Sequence, residues 1–301
     1  MQLGMVGLGR MGANIVRRLM RDGHECVVFD VDPASVKLLV KEGATGAKNL
    51  ADFAARLTTP RSAWIMVPAG ITGRVVADVA EHLAKGDVII DGGNSYYRDS
   101  KRRALALSQH GLRYIDAGIS GGVHGMAQGY CLMLGGTPKS IEIFEPFARM
   151  LAADGDDGWL HCGSSGAGHY AKMIHNGIEY GMMQALAEGF ALLAARPELD
   201  IDAARVASTW RHGSVVRSWL LDLCAEILKD DEKLSGIAPV IDDSGSGRWT
   251  ALESIELGVP TPVITSALMA RFSSQGRSDR ARRLVAMMRA GFGGHAVHKR
   301  S

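Results

Sequence analysis

Lys172, His175, Asn176 and Glu179 share one stripe of a helical pattern that runs from 166 to 196, where Pro197 ends it. At about 100° per residue, the last three fall within roughly 60° of Lys172. Lys172 and Glu179 stand two turns apart, about 10 Å along the axis, too far to pair with each other. An ammonium and a carboxylate so spaced can grip the two ends of one small molecule. A lysine taken out of water loses its proton more readily and can serve as a general base near neutrality. A solvated surface stripe would need polar flanks. Here the flanks are Met173, Ile174, Ile178, Met182, Leu186, Phe190 and Leu193, too apolar for an ordinary surface helix. Gly177 and Gly181 are expected to let another backbone approach closely.

The elements that must position this helix begin at the N-terminus. A short apolar strand, 2–6, runs into Gly7-Leu8-Gly9-Arg10-Met11-Gly12, and a helix follows to Arg21. This is a G-x-G-x-x-G turn between strand and helix. Its glycines allow a tight turn, close approach of a pyrophosphate and close helix packing, with the phosphates at the helix N-terminus. Gly7, Leu8, Gly9, Met11 and Gly12 are therefore candidate dinucleotide contacts. The second strand, 25–29, ends in Asp30, whose carboxylate can accept the adenosine ribose hydroxyls.

Strands are then predicted at 63–67, 87–91, 112–117, 130–134 and 159–162, alternating with helices. That pattern is α/β, a parallel, doubly wound sheet of the Rossmann type over 1–164. Ligands in such sheets bind beyond the carboxyl ends of the strands. Three glycine-rich stretches end strands there and are expected to converge on one crevice. They contribute Val67, Pro68 and Ala69, then Asn94, then Ser120, Gly121 and Gly122. Beyond 164 the strand patterns cease. Helices are predicted at 201–210, 215–228, 251–257, 263–272 and 280–289, giving an all-α domain over 165–301 packed around the central helix.

The 301 residues carry a formal net charge of +2, which excludes the broad basic field of a nucleic-acid-binding protein. Cys26, Cys131, Cys162 and Cys224 form no CxxC pair and no metal spacing. With ten scattered histidines, they point to a reducing cytoplasm and no metal site. No apolar run reaches membrane-spanning length, and no signal peptide is expected before a strand that starts at Gln2.

The run His169-Tyr170-Ala171-Lys172-Met173-Ile174-His175-Asn176-Gly177-Ile178-Glu179-Tyr180-Gly181 resembles the signature of the 6-phosphogluconate dehydrogenase family. D-G-G-N-S (91–95) and G-I-S-G-G (118–122) extend the resemblance, as do W-R-H-G-S-V-V-R-S (210–218), D-D-S-G-S-G-R-W-T (242–250) and R-A-G-F-G-G-H (289–295). The resemblance implies Lys172 as the base toward the substrate hydroxyl and Glu179 as the acid that protonates the enediol carbon, with Asn176 beside them. It places Asn94 between nicotinamide and substrate. Ser120, Gly121, Gly122, His175, Asn176 and Tyr180 are implied on the substrate, and Arg217, Ser246, Arg289 and His295 on its phosphate. Long members carry a Lys where this chain has Ser244, so Arg248 is a candidate replacement. Many members carry an Asn-Arg-Thr-like triplet where this chain reads Asp30-Val31-Asp32. A carboxylate repels a 2′-phosphate and Val31 offers no cation, so NAD is expected, with NADP weaker.

The chain has room for one helical half where long members have two. It resembles the short bacterial subclass, and a homo-oligomer, dimer or tetramer, is expected to complete each site. The implied reaction is oxidative decarboxylation of 6-phosphogluconate to ribulose 5-phosphate. The close alternative is a β-hydroxyacid dehydrogenase of the 3-hydroxyisobutyrate or tartronate semialdehyde reductase type, which needs Lys172 and Asn176 but not Glu179. A dinucleotide-sensing or scaffold protein without chemistry is the third reading, and the intact Lys172, Asn176 and Glu179 argue against it.

Overall fold

The structure is a computed structural model that describes residues 1–231, 234–293 and 296–298. The chain separates into two compact units, Met1–Ile174 and His175–Ser301.

In the first unit the elements follow as β1 (Gln2–Val6), α1 (Arg10–Arg21), β2 (Glu25–Phe29), α2 (Pro33–Lys41), β3 (Thr45–Gly46), α3 (Leu50–Arg56), β4 (Ser62–Ile65) and α4 (Ala69–Ala80). Then come β5 (Val88–Asp91), α5 (Tyr97–Gln109), β6 (Arg113–Ser120), α6 (Gly125–Gln128), β7 (Cys131–Gly136), α7 (Pro138–Leu151) and β8 (Trp159–Gly163). Helix α8 (Ala167–Ala194) follows and continues into the second unit. The strands form one sheet in the order β3-β2-β1-β4-β5-β6-β7-β8. Side chains alternate across it. Val88 and Ile90 join one buried cluster with Leu3, Met5, Trp64 and Phe144, and Ile89 joins another with Val27, Phe53, Ile65 and Val79. Helices therefore cover both faces, which is why the strands read as unbroken apolar runs.

Two features depart from the sequence expectation. The sheet is parallel except between β6 and β7, which pair antiparallel. Only a short 3-10 turn and the four-residue α6 join these strands, and a parallel crossover needs a dozen or more residues. The region 33–56 also holds α2, β3 and α3, which the periodicity did not reveal. Strand β3 has two residues and α3 seven, too few to display a period. Local caps fix both helices: Asp32 accepts from the N–H groups of Ala34 and Ser35, and Asn49 accepts from Asp52.

The second unit is helical among its described residues. It holds the rest of α8, then α9 (Ala203–Trp210), α10 (Trp219–Asp230), α11 (Ser246–Leu257), α12 (Pro262–Ser274) and α13 (Asp279–Gly293). Helix α10 begins four residues later than its pattern suggested, because the Ser218 hydroxyl caps it by accepting from Leu221 N–H. Helix α11 begins five residues earlier than expected, behind Gly245 in the left-handed region. Gly177 and Gly181 do admit neighbours, but these are side chains rather than backbone. A Cβ at Gly177 would lie 2.9 Å from Thr250 Cγ2, and one at Gly181 would lie 3.2 Å from Val263 Cγ1. The cores here are small: Phe190 with Ala203, Ala207, Leu221 and Ala225, and Tyr180 with Ala251, Ala267 and Leu268.

The start of α8 has no room for a side chain at Gly168, where a Cβ would lie 2.4–2.7 Å from Met133 O, Asp116 O and Gly135 N. Gly189, later in the same helix, would meet nothing within 4 Å. Gly168→Ala should therefore lower unfolding stability by about 1–3 kcal/mol. Gly189→Ala should raise it by roughly 0.5–1 kcal/mol. Urea titration of both variants checks the opposite signs.

Candidate active site

The glycines after β1 divide their work by geometry. Gly7 takes φ +96°, and a Cβ there would stand 2.4 Å from Met66 O. A Cβ at Gly12 would stand 2.1 Å from Gly7 O, so α1 can close onto the turn only without one. Gly9 faces open space instead. It caps α1 with no side-chain bond and no acidic residue in the first turn. First and third glycines are required by packing, and the second leaves a cradle that a pyrophosphate fits.

Asp30 organises the neighbouring corner. Its Oδ2 accepts from Leu8 N–H at 2.6 Å and its Oδ1 from Asp32 N–H at 2.8 Å. A carboxylate has about four lone-pair sites, so capacity remains for ribose hydroxyls. Val31 is 91% exposed, and Asp32 is committed to capping α2. The end of β2 thus offers acceptors and no cation.

The loops after β1, β4 and β5 touch. Positions next to Gly7 include Met66 and Val67, and a Cβ at Gly93 would lie 3.1 Å from Val67 O. Pro68 caps α4, where Ala69 is the first helical residue. Asn94 is half-buried and held from both sides: Gly93 N–H and the Ser95 hydroxyl both donate to the buried Asp91 carboxylate. Arg103 pairs with the same carboxylate at 2.8 Å. In the register that matches Asp91 with Asp116, β6 runs on to Ser120, four residues beyond the end of β5. Gly121 takes φ +125° against Tyr130 and Gly129, and Gly122 takes φ +51°. Ser120 ends β6, and Gly121 and Gly122 follow it at the same carboxyl end of the sheet as the other three loops.

Lys172 stands on the second turn of α8. A Cβ at Gly118 of β6 would lie 2.4 Å from Lys172 Cβ, so the lysine stem rests directly on that strand. Further along the unbroken helix, His175 Nδ1 lies 3.1 Å from Asn176 Oδ1 and 3.8 Å from Glu179 Oε2. Within the helical unit, Asn176 Nδ2 donates to Ser246 Oγ at 3.2 Å, and Tyr180 Oη lies 3.2 Å from Ser244 Oγ. Ser246 is fully buried as the first residue of α11.

The cations sort differently from the sequence expectation. Arg248 forms an ion pair with the nearly buried Asp243 and lies over Phe272, so its charge is already matched. Arg217 is exposed in the turn before α10, with its backbone N–H on Ser214. No described hydrogen bond or ion pair ties it to Tyr180, Ser244 or Ser246. Arg289 is exposed on α13 and lines a pocket of about 400 Å³ with Ala286, Ala296, Val297 and His298. His295 lies outside the described residues. Sequence reasoning missed Arg271 of α12. Its guanidinium sits 3.6 Å over the Tyr180 ring, and Nη1 donates to Asp242 O at 2.8 Å. The available signal was one charge inside the apolar run 263–272. Among the described residues no group of histidine, cysteine or acidic side chains could hold a metal, and no helix is long and apolar enough to cross a membrane.

The model of the NAD binding domain of 6-phosphogluconate dehydrogenase matches residues 2–163, and that of the 6-phosphogluconate dehydrogenase C-terminal domain matches 168–296. The chain belongs to the 6-phosphogluconate dehydrogenase family. It is 44% identical to the YqeC protein of Bacillus subtilis, over all of both chains. It is 42% identical to the NAD(+)-dependent, decarboxylating 6-phosphogluconate dehydrogenase of Haloferax volcanii, over all of this chain and 99% of that one. The structure of Plasmodium falciparum 6-phosphogluconate dehydrogenase, studied with its cofactor NADP+ and with its substrate 6-phosphogluconate, is 27% identical. It superposes with a TM-score of 0.84, covering all of this chain and 66% of the other.

Membership of the 6-phosphogluconate dehydrogenase family fits an α/β dinucleotide-binding unit followed by helices. The family includes NAD and NADP users, and the end of β2 in this chain presents a carboxylate rather than a cation to the ribose. With Asp30 acidic and Val31 uncharged, kcat/KM should be higher for NAD than for NADP. Exchanging Asp30→Asn together with Val31→Arg should move the ratio toward NADP by about tenfold or more, the worth of one charge-assisted contact. Steady-state kinetics with both cofactors checks this.

Proposed function

We propose that this chain oxidises 6-phosphogluconate at carbon 3 and decarboxylates it to ribulose 5-phosphate, with NAD as oxidant. The observation that carries the reading is the seating of Lys172. Its stem lies on Gly118 of β6, at the end of the sheet where the glycine loop and Asn94 stand, while Glu179 follows two turns along the same helix.

NAD, held by the Gly7–Gly12 turn and Asp30, would supply the acceptor for the hydride of carbon 3. Lys172 accepts the proton of the carbon 3 hydroxyl as that hydride leaves. The 3-keto acid then loses CO2, Lys172 gives its proton to the enolate oxygen to form the enediol, and Glu179 protonates what becomes carbon 1 of the product as Lys172 takes the hydroxyl proton back and leaves the ketone. Asn176, held by Ser246, and His175, between Asn176 and Glu179, orient the substrate from the same stripe. Asn94, Ser120, Gly121 and Gly122 bind it from the sheet unit. Tyr180, Ser246, Arg217 and Arg289 are assigned to the phosphate end. Arg271 joins them as the cation in place of the Lys missing at Ser244, since Arg248 is matched by Asp243.

The protein acts in the cytoplasm, in gluconate use and the pentose phosphate route, as a homo-oligomer. Supporting oligomerisation, the helical unit exposes Ile178, Leu192, Leu252, Ile255, Val263 and Met287, each more than half accessible. A single chain rarely leaves so much apolar surface to water.

Turnover of 6-phosphogluconate with NAD, read as NADH and released CO2, tests the reaction. Lys172→Met should abolish it. Glu179→Gln should still bind substrate and lose roughly 10²–10⁴-fold in kcat, the usual worth of a general acid. A near-normal kcat in Glu179→Gln would remove Glu179 from the mechanism. Arg271→Ala and Arg289→Ala should each raise KM for 6-phosphogluconate about tenfold or more, with KM for NAD little changed. Arg289 is assigned to the site of a neighbouring subunit, so mixed Arg289→Ala and Lys172→Met subunits should regain activity. A mixture that stays inactive although its subunits exchange would assign Arg289 to its own chain's site.

A further inference from the structure

A buried chain of polar groups crosses the first unit from the end of β5 to the first turns of α8, and none of its middle members touches the assigned substrate or cofactor positions. Asp91, fully buried, only accepts. Tyr114 Oη donates to Asp91 Oδ2 at 2.8 Å. Burial and the adjacent carboxylate raise the phenol well above the usual tyrosine range, so it stays protonated. The Tyr114 oxygen is bonded in turn by the Ser100 hydroxyl. Ser100 Oγ lies 2.7 Å from His169 Nδ1, both residues being buried.

Ser100 Oγ carries one proton and has three polar neighbours, Tyr114 Oη, the Tyr96 carbonyl at 3.4 Å and His169 Nδ1 at 2.7 Å. His169 Nε2 is buried with no hydrogen-bond partner among the described residues, so Ser100 is the hydrogen-bonding side chain that holds the ring.

Both ends of this chain hold something the reaction needs. Asp91 grips the residues on either side of Asn94 through Gly93 N–H and the Ser95 hydroxyl. His169 lies three residues before Lys172, on the same side of α8. Its backbone N–H, with that of Gly166, is held by Asp116 at 2.9 and 2.6 Å. We propose that Ser100, Tyr114 and His169 are positioning residues, a buried brace that fixes Lys172 relative to the Asn94 loop so that base and nicotinamide site stay aligned. The proposal rests on the reaction assigned above.

The test breaks the brace at two places that leave Asp91–Arg103 and the Asp116 cap in place. Ser100→Ala and Tyr114→Phe should each lower kcat about tenfold or more, since a small misplacement of reacting groups can cost up to ~10²-fold. KM for NAD should remain at its wild-type value. The double variant should lose no more than either single one, because one broken link already frees the brace. Losses that multiply, or a kcat that stays at wild type while only the melting temperature falls, would reduce the chain to ordinary packing and overturn the proposal. A readout free of turnover accompanies this. Imidazole 15N shifts of His169 should move in Ser100→Ala and also in Tyr114→Phe, which breaks the chain one link further from the ring. A His169 ring that does not respond to Tyr114→Phe would also overturn the brace. Wild-type protein that leaves 6-phosphogluconate unchanged would instead sink the assigned reaction, with the spectra still reporting on the brace.

Discussion

Asp116 is a carboxylate buried completely within the sheet, and the placement of the long helix depends on it. Both of its oxygens accept backbone N–H groups from the start of α8, Gly166 and His169. A buried charge without partners would be costly, and the unpaired N–H groups at a helix start carry the positive end of its dipole. Each solves the other's problem. The contact demands that helix and strand come very close, and the glycines at 118, 135 and 168 are the residues that allow it. Lys172 then has one place to stand, against β6.

The two units divide the burdens of stability and recognition. The sheet unit buries apolar side chains on both faces and encloses the polar groups of Asp91, Tyr114, Ser100 and His169, with the partly buried Arg103 at their edge. The helical unit has two small clusters and much apolar surface in water. Its polar groups are matched in pairs, Arg248 with Asp243, Arg211 with Asp222, Asn176 with Ser246. Arg271 is held differently, stacked on Tyr180 and bonded to a carbonyl rather than a carboxylate. A cation so held keeps its full charge for a ligand, whereas one already beside a carboxylate does not.

The sequence by itself determined the alternation of strands and helices, the glycine turn before α1, the acidic end of β2 and the polar stripe of Lys172, His175, Asn176 and Glu179. These are local: periodicity, turn chemistry and spacing along one helix are complete within a few residues. It also carried the family signature, because that too is a run of adjacent residues. Tertiary structure alone decided the antiparallel return of β7, the elements between Asp32 and Ser62, and which arginine stands beside Tyr180. Strand direction depends on the reach of a connection, and a two-residue strand has no period to read. The partners of Asp91, Asp116 and Arg271 lie between 2 and 53 residues away in sequence, so the longer pairings become visible only when folding brings their ends within hydrogen-bond range. Chemistry written along one helix was legible; the carboxylates and glycines that hold that helix in place were not, because their meaning is a distance across the sheet.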